Sequence, residues 1–187
     1  MLYEYEELEK TDIYKLMAST VVPRPIAWIV TKADEINIAP FSYFIPLSSN
    51  PPTMIVSIGH KADKTPKDTL KNIREQKRCT ICIPNVEDKQ KVQDSSKSYD
   101  YGVSEAKELD IKTKKILDGF PPMIANSKVA FFCELYKEVD LEDSQTIPLI
   151  VKVKAHYVDD SLIKDDGSID FLPLGRVARE YVELKKV

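Results

Sequence analysis

Several kinds of catalytic and binding site have too little to build on in this sequence of 187 residues. It has five glycines, none of which forms a G-x-G pair, so the glycine-rich turns of the Rossmann fold and the P-loop are both missing. Its two histidines, His60 and His156, are far apart, and neither has an acid-rich cluster beside it. We therefore expect no zinc site, no other metal site and no Ser-His-Asp triad.

An excess of positive charge and a long apolar run are also missing. Lys and Arg total 27 against 30 Asp and Glu, a formal net charge of −3, which argues against a nucleic acid partner. The apolar runs are of strand length, well short of the roughly 18 residues that span a membrane. The acidic start of the chain lacks the order of a signal peptide. With three cysteines and no export signal, we expect reduced thiols in a cytoplasmic protein.

The length suits one domain, residues 1–187, because domains usually run to roughly 100–200 residues. Alternation and β-branched residues predict a hairpin from two strands joined at Asp34 and Glu35. The region between Val86 and Leu109 predicts two short helical pieces. The predicted strands are 26–31, 36–41, 53–58, 79–83, 129–136 and 147–158. This order predicts a mainly β (α+β) fold, an antiparallel barrel with helical insertions.

Residues 65–68 have the composition of a helix start. Thr65 suits the N-cap and Pro66 the first helical position. The leading amides of a helix are unsatisfied and its dipole is positive there, so this end attracts anions. Lys67 lies at the unfavourable end for a cation unless an anion binds nearby.

The same helix start provides a candidate phosphate cradle. Thr69 adds a hydroxyl, and Asn72, three residues on, shares its face. With Lys64 and Lys67, these side chains predict a site for a phosphate group. The alternative is a solvated surface helix in which Thr65 is only a cap.

Other polar residues lie upstream of this helix. Hydroxyl groups are dense at Ser42, Tyr43, Ser48 and Ser49, where they either bind a phosphate or polyol or serve ordinary turns. The last two belong to a predicted turn cluster, residues 48–52, in which the prolines stiffen the chain.

Two further upstream side chains each allow a binding and a structural interpretation. Asn37 either recognises the edge of a heterocycle or pairs within its turn. Arg24, held between two prolines, either positions an anion or forms a surface ion pair.

The C-x-x-C pair Cys79 and Cys82 lies in an apolar strand and not at the start of a helix. Residues three apart in a strand face opposite sides, so we interpret both thiols as core residues. Cys133 and Trp28 are also predicted to be core, and His156 is predicted to be structural.

Four segments together resemble the flavin reductase-like family, which has the FMN-binding split-barrel fold. They follow one another in the expected order with the expected gaps, and the likeness extends from about Val22 to Arg176. The segments are Val22-Pro-Arg-Pro-Ile-Ala-Trp-Ile-Val-Thr31, Asn37-Ile-Ala-Pro-Phe-Ser-Tyr-Phe44, Ser48-Ser-Asn-Pro-Pro52 and Lys67-Asp-Thr-Leu-Lys-Asn-Ile73.

The resemblance implies a homodimer with FMN in a groove at the subunit interface. It implies that a segment containing Asn37, Ala39, Pro40, Ser42 and Tyr43 lies along the flavin. It also implies that the Ser48–Ser49 loop and the segment with Lys67, Thr69 and Asn72 hold the ring, ribityl and phosphate parts. We therefore expect a flavin reductase that uses NAD(P)H, with Arg24 as a further cofactor-binding residue and no assigned catalytic residue.

One departure from the family keeps an alternative open. Many members carry Gly-Asp-His before the late barrel strand, whereas residues 142–146 contain no histidine. That histidine is associated with the nicotinamide side of the site. The alternative is a flavoredoxin-like electron carrier that exchanges electrons with a redox partner protein and does not itself oxidise NAD(P)H.

Overall fold

The computed structural model describes residues 1–186, which form a seven-stranded antiparallel sheet, two small two-stranded sheets and several short helices. The seven strands of the large sheet are β1 Ala27–Lys32, β2 Ile36–Phe41, β3 Phe44–Ser49, β4 Pro52–Gly59, β5 Arg78–Ile83, β8 Val129–Glu138 and β9 Thr146–Val158. The small sheets pair β6 Thr113–Lys114 with β7 Met123–Ile124, and β10 Leu174–Val177 with β11 Glu180–Glu183. The helices are α1 Lys10–Thr20, α2 Asp68–Gln76, α3 Lys89–Asp94 and α4 Glu105–Glu108.

The large sheet has its two edges joined by a very short piece of chain. Its strand order is β2-β1-β5-β8-β9-β4-β3, so β2 and β3 are the outermost strands. Only Ser42 and Tyr43 connect them. The sheet must therefore curl until its two edges approach each other, and two register shifts between β8 and β9 help it to bend. The predicted antiparallel barrel with helical insertions is confirmed as a split barrel.

The sequence patterns locate the main strands correctly. The hairpin of β1 and β2 is confirmed, with Thr31 opposite Asn37 in its register. The two short helical pieces between Val86 and Leu109 are confirmed as α3 and α4. His156 lies in β9, as predicted, with its ring stacked on Phe131 at a centroid distance of 4.1 Å.

The sheet buries an apolar cluster on each of its faces. Cys79 and Cys133 belong to one cluster, whereas Cys82 belongs to the other together with Trp28. The alternation argument for Cys79 and Cys82 is therefore confirmed, and all three thiols are free and buried. Burial raises the pKa of Cys82 to about 12, so this thiol stays protonated at neutral pH.

The predicted helix start at residues 65–68 is wrong by about two residues. The Thr65 hydroxyl donates to Asp63 Oδ1 at 2.6 Å, and the Thr65 N–H donates to the same oxygen at 2.9 Å. Thr65 is thus occupied in a local turn, and Pro66 pairs with His60. The helix begins at Asp68, and its N-cap residue is Lys67.

Two other parts of the chain differ from the sequence expectations. The predicted turn cluster at 48–52 is narrower, because Ser48 and Ser49 are the last residues of β3 and the turn is centred on Asn50 and Pro51. Helix α1 was not predicted: its N-cap is Glu9, which makes no capping bond, and Ala18 is its one buried residue. Neither local signal of a helix is therefore strong there.

No helix within residues 1–186 has both the length and the apolar character that crossing a bilayer requires.

Candidate functional site

A groove runs along β2, between that strand and the elements packed outside the barrel. Three cavities follow one another and share lining residues, with Pro40 common to the first two and Ser42 common to the last two. A fourth cavity adjoins the first at Asn37 and Asp68. We call this series the β2 groove. Asn37, Ala39, Pro40, Ser42 and Tyr43 all line it, so the structure brings this sequence-predicted set together.

The first cavity, which we call the lysine cleft, is narrow and polar. Its volume is about 60 Å³, and its wall includes Lys61, Lys67, Thr69 and Lys97 together with the hydroxyl-bearing residues Ser95, Ser96, Ser98 and Tyr99. Lys61 pairs with Asp68 at 2.6 Å and Lys97 with Asp94 at 2.7 Å.

Lys67 makes no ion pair with any residue from 1 to 186, and its ammonium lies 5.7 Å from the centre of the Phe41 ring. Burial, and then the charge of Lys61, lower the pKa of Lys67. The same residue occupies the N-cap of α2, and no side chain caps that helix. A partly buried cation therefore lies beside free helix amides, an arrangement that favours a bound anion.

Thr69 and Asn72 do not face the lysine cleft as free donors, because both take part in a buried polar network. Thr69 Oγ1 donates to Asn37 Oδ1 at 2.8 Å, and Asn72 Nδ2 donates to Thr31 Oγ1 at 3.0 Å. Thr31 Oγ1 in turn donates to Asn37 Oδ1 at 3.2 Å. Asn37 therefore pairs within its own hairpin, through Thr31, and also bonds to α2 and α4.

Glu105, at the start of α4, completes this network. Its two carboxylate oxygens accept from Asn37 Nδ2 at 2.9 and 3.0 Å, and one also accepts from the N–H of Ile38 at 2.9 Å. Burial raises the pKa of Glu105, while the hydrogen bond from Ile38 lowers it. Sequence reasoning missed this residue because its partners are 67 and 68 positions away in the chain.

Arg24 is buried, with 5% of its surface exposed, so the surface ion pair considered for it is wrong. Its guanidinium donates to the carbonyls of Ala18 at 3.1 Å and Ala178 at 2.9 Å. It also lies 5.5 Å from the centre of the Tyr43 ring. Arg24 thereby joins the end of α1 and the β10–β11 turn to the third cavity, an apolar space of about 350 Å³.

Ser48 and Ser49 lie outside the β2 groove. They are exposed at the far end of β3 from Tyr43, separated by roughly 15 Å of strand. Ser48 Oγ accepts from the N–H of Asn50 at 3.1 Å, an ordinary turn contact. Lys64 is exposed too and does not line the lysine cleft. A single chain therefore does not bring these residues to the other candidates.

Two further features concern metal ligands and the loop before β9. No group of three or more His, Cys, Asp and Glu side chains could hold a metal ion in the part of the chain that the structure describes. The loop before β9 contains no histidine of its own, but His60 Nδ1 lies 3.0 Å from the carbonyl oxygen of Gln145. Neither residue lines the β2 groove.

One family model and two related proteins match nearly the whole chain. The family model described as flavin reductase like domain matches residues 17–185. An uncharacterized protein of Aquifex aeolicus is 31% identical over 188 residues, which cover 97% of this chain and 94% of that protein. A protein of Halalkalibacterium halodurans is 30% identical over 180 residues, covering 93% of this chain and 86% of the relative.

Solved structures share the fold at lower identity. Nitrilotriacetate monooxygenase component B from Bacillus cereus superposes with a TM-score of 0.91 at 24% identity, covering 100% of this chain and 96% of that one. Flavoredoxin of Desulfovibrio vulgaris (Miyazaki F) has a TM-score of 0.78 at 21% identity, covering 89% and 90%. These likenesses establish the split-barrel architecture.

The two hydrogen bonds from Arg24 to the carbonyls of Ala18 and Ala178, which we call the Arg24 clamp, yield a testable prediction. Arg24→Met should lower the free energy of unfolding by about 2–4 kcal/mol, because a buried carbonyl and a partly buried one lose a charged donor. Urea denaturation measures this change, and hydrogen exchange should show α1 losing protection before the sheet does. Arg179→Met, at an exposed position of the same turn, should change neither. Equal behaviour of the two variants would show that the clamp does not stabilise the protein.

Proposed function

We propose that this chain, which belongs to the flavin reductase like domain family, binds FMN in the β2 groove and acts in the cytoplasm as an NAD(P)H-dependent flavin reductase or a related oxidoreductase. The lysine cleft is the observation that carries the proposal. Lys67 has no acidic partner within residues 1–186 and stands at the uncapped N-terminus of a nine-residue helix. A phosphate group supplies the negative charge that this arrangement lacks.

The residues that line the β2 groove suit both the phosphate end and the ring end of FMN. The lysine cleft would hold the phosphate through Lys67 and the leading amides of α2. Residues 39–43 continue the groove from this cleft to the apolar cavity beside Arg24, which suits a ligand that is anionic at one end and aromatic at the other. Tyr43 offers an exposed ring there, and burial raises the pKa of its hydroxyl.

Bound FMN would supply the redox chemistry, accepting hydride from NAD(P)H and passing electrons on, so the protein needs no acid–base pair of its own. The thiols are poor candidates for this role. Cys79, Cys82 and Cys133 are all buried, and the raised pKa of Cys82 keeps it in the unreactive protonated form. The chain would place the flavin and set its electrostatic surroundings.

A homodimer would complete the site. Edge strand β3 exposes Ile45 by 57% and Leu47 by 51%, next to exposed Met17 and Val21. An exposed, apolar edge strand favours pairing with another chain. A second copy packed on this face would bring Ser48 and Ser49 to the flavin, which a single chain does not do.

A second candidate is a flavoredoxin-like electron carrier. It is favoured by the loop before β9, whose residues 142–146 offer no histidine to the nicotinamide. The carrier would use the same FMN groove but take its electrons from a redox partner protein.

The phosphate contact is tested by comparing FMN with riboflavin, which lacks the phosphate. In fluorescence titrations, we expect wild-type protein to bind FMN at least tenfold more tightly than riboflavin. Lys67→Ala should weaken FMN binding by about 1.5–3 kcal/mol, because a charge-assisted contact is lost. It should leave riboflavin binding nearly unchanged. Lys89→Ala, an exposed lysine elsewhere, is the control. Equal affinity of the wild type for both flavins would refute the phosphate assignment.

Steady-state assays separate the two candidate functions. With free FMN present, we expect NADH or NADPH to be oxidised with saturable dependence on FMN, followed as loss of nicotinamide absorbance. Flavin-loaded protein that is reduced by a reduced partner protein, and not by either nicotinamide, would instead identify the electron carrier.

The dimer is tested on β3. Sedimentation should give the mass of two chains for wild-type protein. Ile45→Asp should shift it to one chain and weaken FMN binding, because a charge cannot be buried unpaired at such an interface. Ile116→Asp, which replaces another exposed isoleucine, is the matched control. A monomeric wild type that binds FMN fully would rule out the shared site.

A further inference from the structure

A buried carboxylate stands in the wall of the cleft that we assign to an anion. Glu105 is 5% exposed and lines the same cavity as Lys67 and Thr69. A negative charge there repels a phosphate, and burying it carries a desolvation cost as well. Charge alone therefore gives no reason for Glu105 at this position, so its value must lie in what its hydrogen bonds hold in place.

The carboxylate fixes the orientation of the Asn37 amide. It accepts three hydrogen bonds, two from Asn37 Nδ2 and one from the N–H of Ile38. An ionised carboxylate only accepts hydrogen bonds, so the NH₂ group of Asn37 must point toward Glu105. The carbonyl oxygen of Asn37 must then point the other way.

That carbonyl oxygen is the anchor for the start of α2. It accepts from Thr69 Oγ1 at 2.8 Å, and Thr69 is the second residue of the helix. One turn further on, Asn72 is tied to the same network through Thr31. Thr69 and Asn72 are both more than nine-tenths buried, so these contacts are shielded from water.

We propose that Glu105 is a positioning residue for the phosphate site, acting through Asn37 and Thr69 to hold the leading amides of α2 and Lys67 over the β2 groove. This inference rests on the proposed function, since it concerns the phosphate of the same flavin. It also assigns the Thr69 hydroxyl proton to Asn37, so this group does not donate to the phosphate.

Removing the charge of Glu105 should change the affinity for phosphate in opposite directions, depending on whether Glu105 acts by positioning the helix or by its charge. Glu105→Gln keeps the shape of the side chain and removes its charge. If the charge alone mattered, phosphate would bind more tightly in this variant. If Glu105 positions the helix, phosphate binds more weakly, because the glutamine NH₂ opposes a donor and frees the Asn37 amide to turn.

The experiment measures dissociation constants of FMN and riboflavin for wild-type protein and the Glu105→Gln variant by fluorescence titration. We expect the FMN constant to rise roughly tenfold in the variant, while the riboflavin constant changes by less than about twofold. The unchanged riboflavin constant and an unchanged circular dichroism spectrum show that the variant is folded. Unaltered or tighter FMN binding by the variant would overturn the inference.

Two variants of Thr69 test the path. Thr69→Val removes the hydroxyl at nearly constant shape and should weaken FMN binding as Glu105→Gln does. Thr69→Ser keeps the hydroxyl and should retain most of the wild-type FMN affinity. Adding Glu105→Gln to Thr69→Val should cause little further loss, because the two residues act on one contact. Additive losses would contradict the path through Asn37.

These outcomes distinguish this inference from the function on which it rests. A wild type that binds FMN no better than riboflavin would refute the phosphate cleft, and the positioning role with it. A wild type that prefers FMN, together with a Glu105→Gln variant that keeps the preference, would refute the positioning role alone.

Discussion

The side-chain amide of Asn37 is the contact on which the arrangement of the β2 groove depends. It lies on an edge strand, yet it bonds to a neighbouring strand, to the first turn of α2 and to α4. Every donor and acceptor of this amide is used. Removing one partner would strand buried polar groups at a cost of about 1–3 kcal/mol each. The network therefore fixes the start of α2 relative to β2, the two elements that form the lysine cleft.

The covalent path between the two edges of the sheet sets the second constraint. Ser42 and Tyr43 alone connect β2 to β3, so the barrel must leave its opening where these residues lie. The groove follows that opening. Arg24 then fastens α1 and the β10–β11 turn beside it through two carbonyl contacts. Elements from both ends of the sequence thus form the wall of a cavity whose floor is the barrel.

Local patterns were sufficient for most of the barrel and insufficient for the contacts between elements. Alternation located the main strands and assigned Cys79 and Cys82 to opposite faces, because side-chain direction in a strand depends only on neighbouring residues. The start of α2 was misplaced because the Thr65 hydroxyl bonds to Asp63 and does not cap the helix. Composition alone does not show which of the two partners Thr65 takes. Helix α1 has no capping side chain and no strong apolar face, so no local pattern predicts it. Residues elsewhere in the sequence stabilise it instead.

The candidate site, like the fold, could be predicted from the sequence only in part. Residues 37–43 and Lys67 could be placed in one groove because they occur in segments with recognisable spacing. Glu105 could not, since nothing within its own helix signals that its partner is a strand residue 68 positions earlier. Thr69 was identified as a site residue, but the direction of its hydroxyl proton follows only from the carboxylate at the other end of the network. Hydrogen-bond polarity is therefore the part of this site that required the three-dimensional structure.

The phosphate site that we propose has no glycine-rich loop, so it would depend instead on a lysine that has no acidic partner within residues 1–186. Lys67 is partly buried near Lys61, at the positive end of a helix dipole, and burial, followed by the charge of Lys61, lowers its pKa. Each of these effects disfavours the ligand-free state. An anion bound in the lysine cleft would offset the desolvation of Lys67, its repulsion by Lys61 and the positive end of the helix dipole. The buried network around Asn37 holds α2 in place, so Lys67 and the leading amides of the helix stay together.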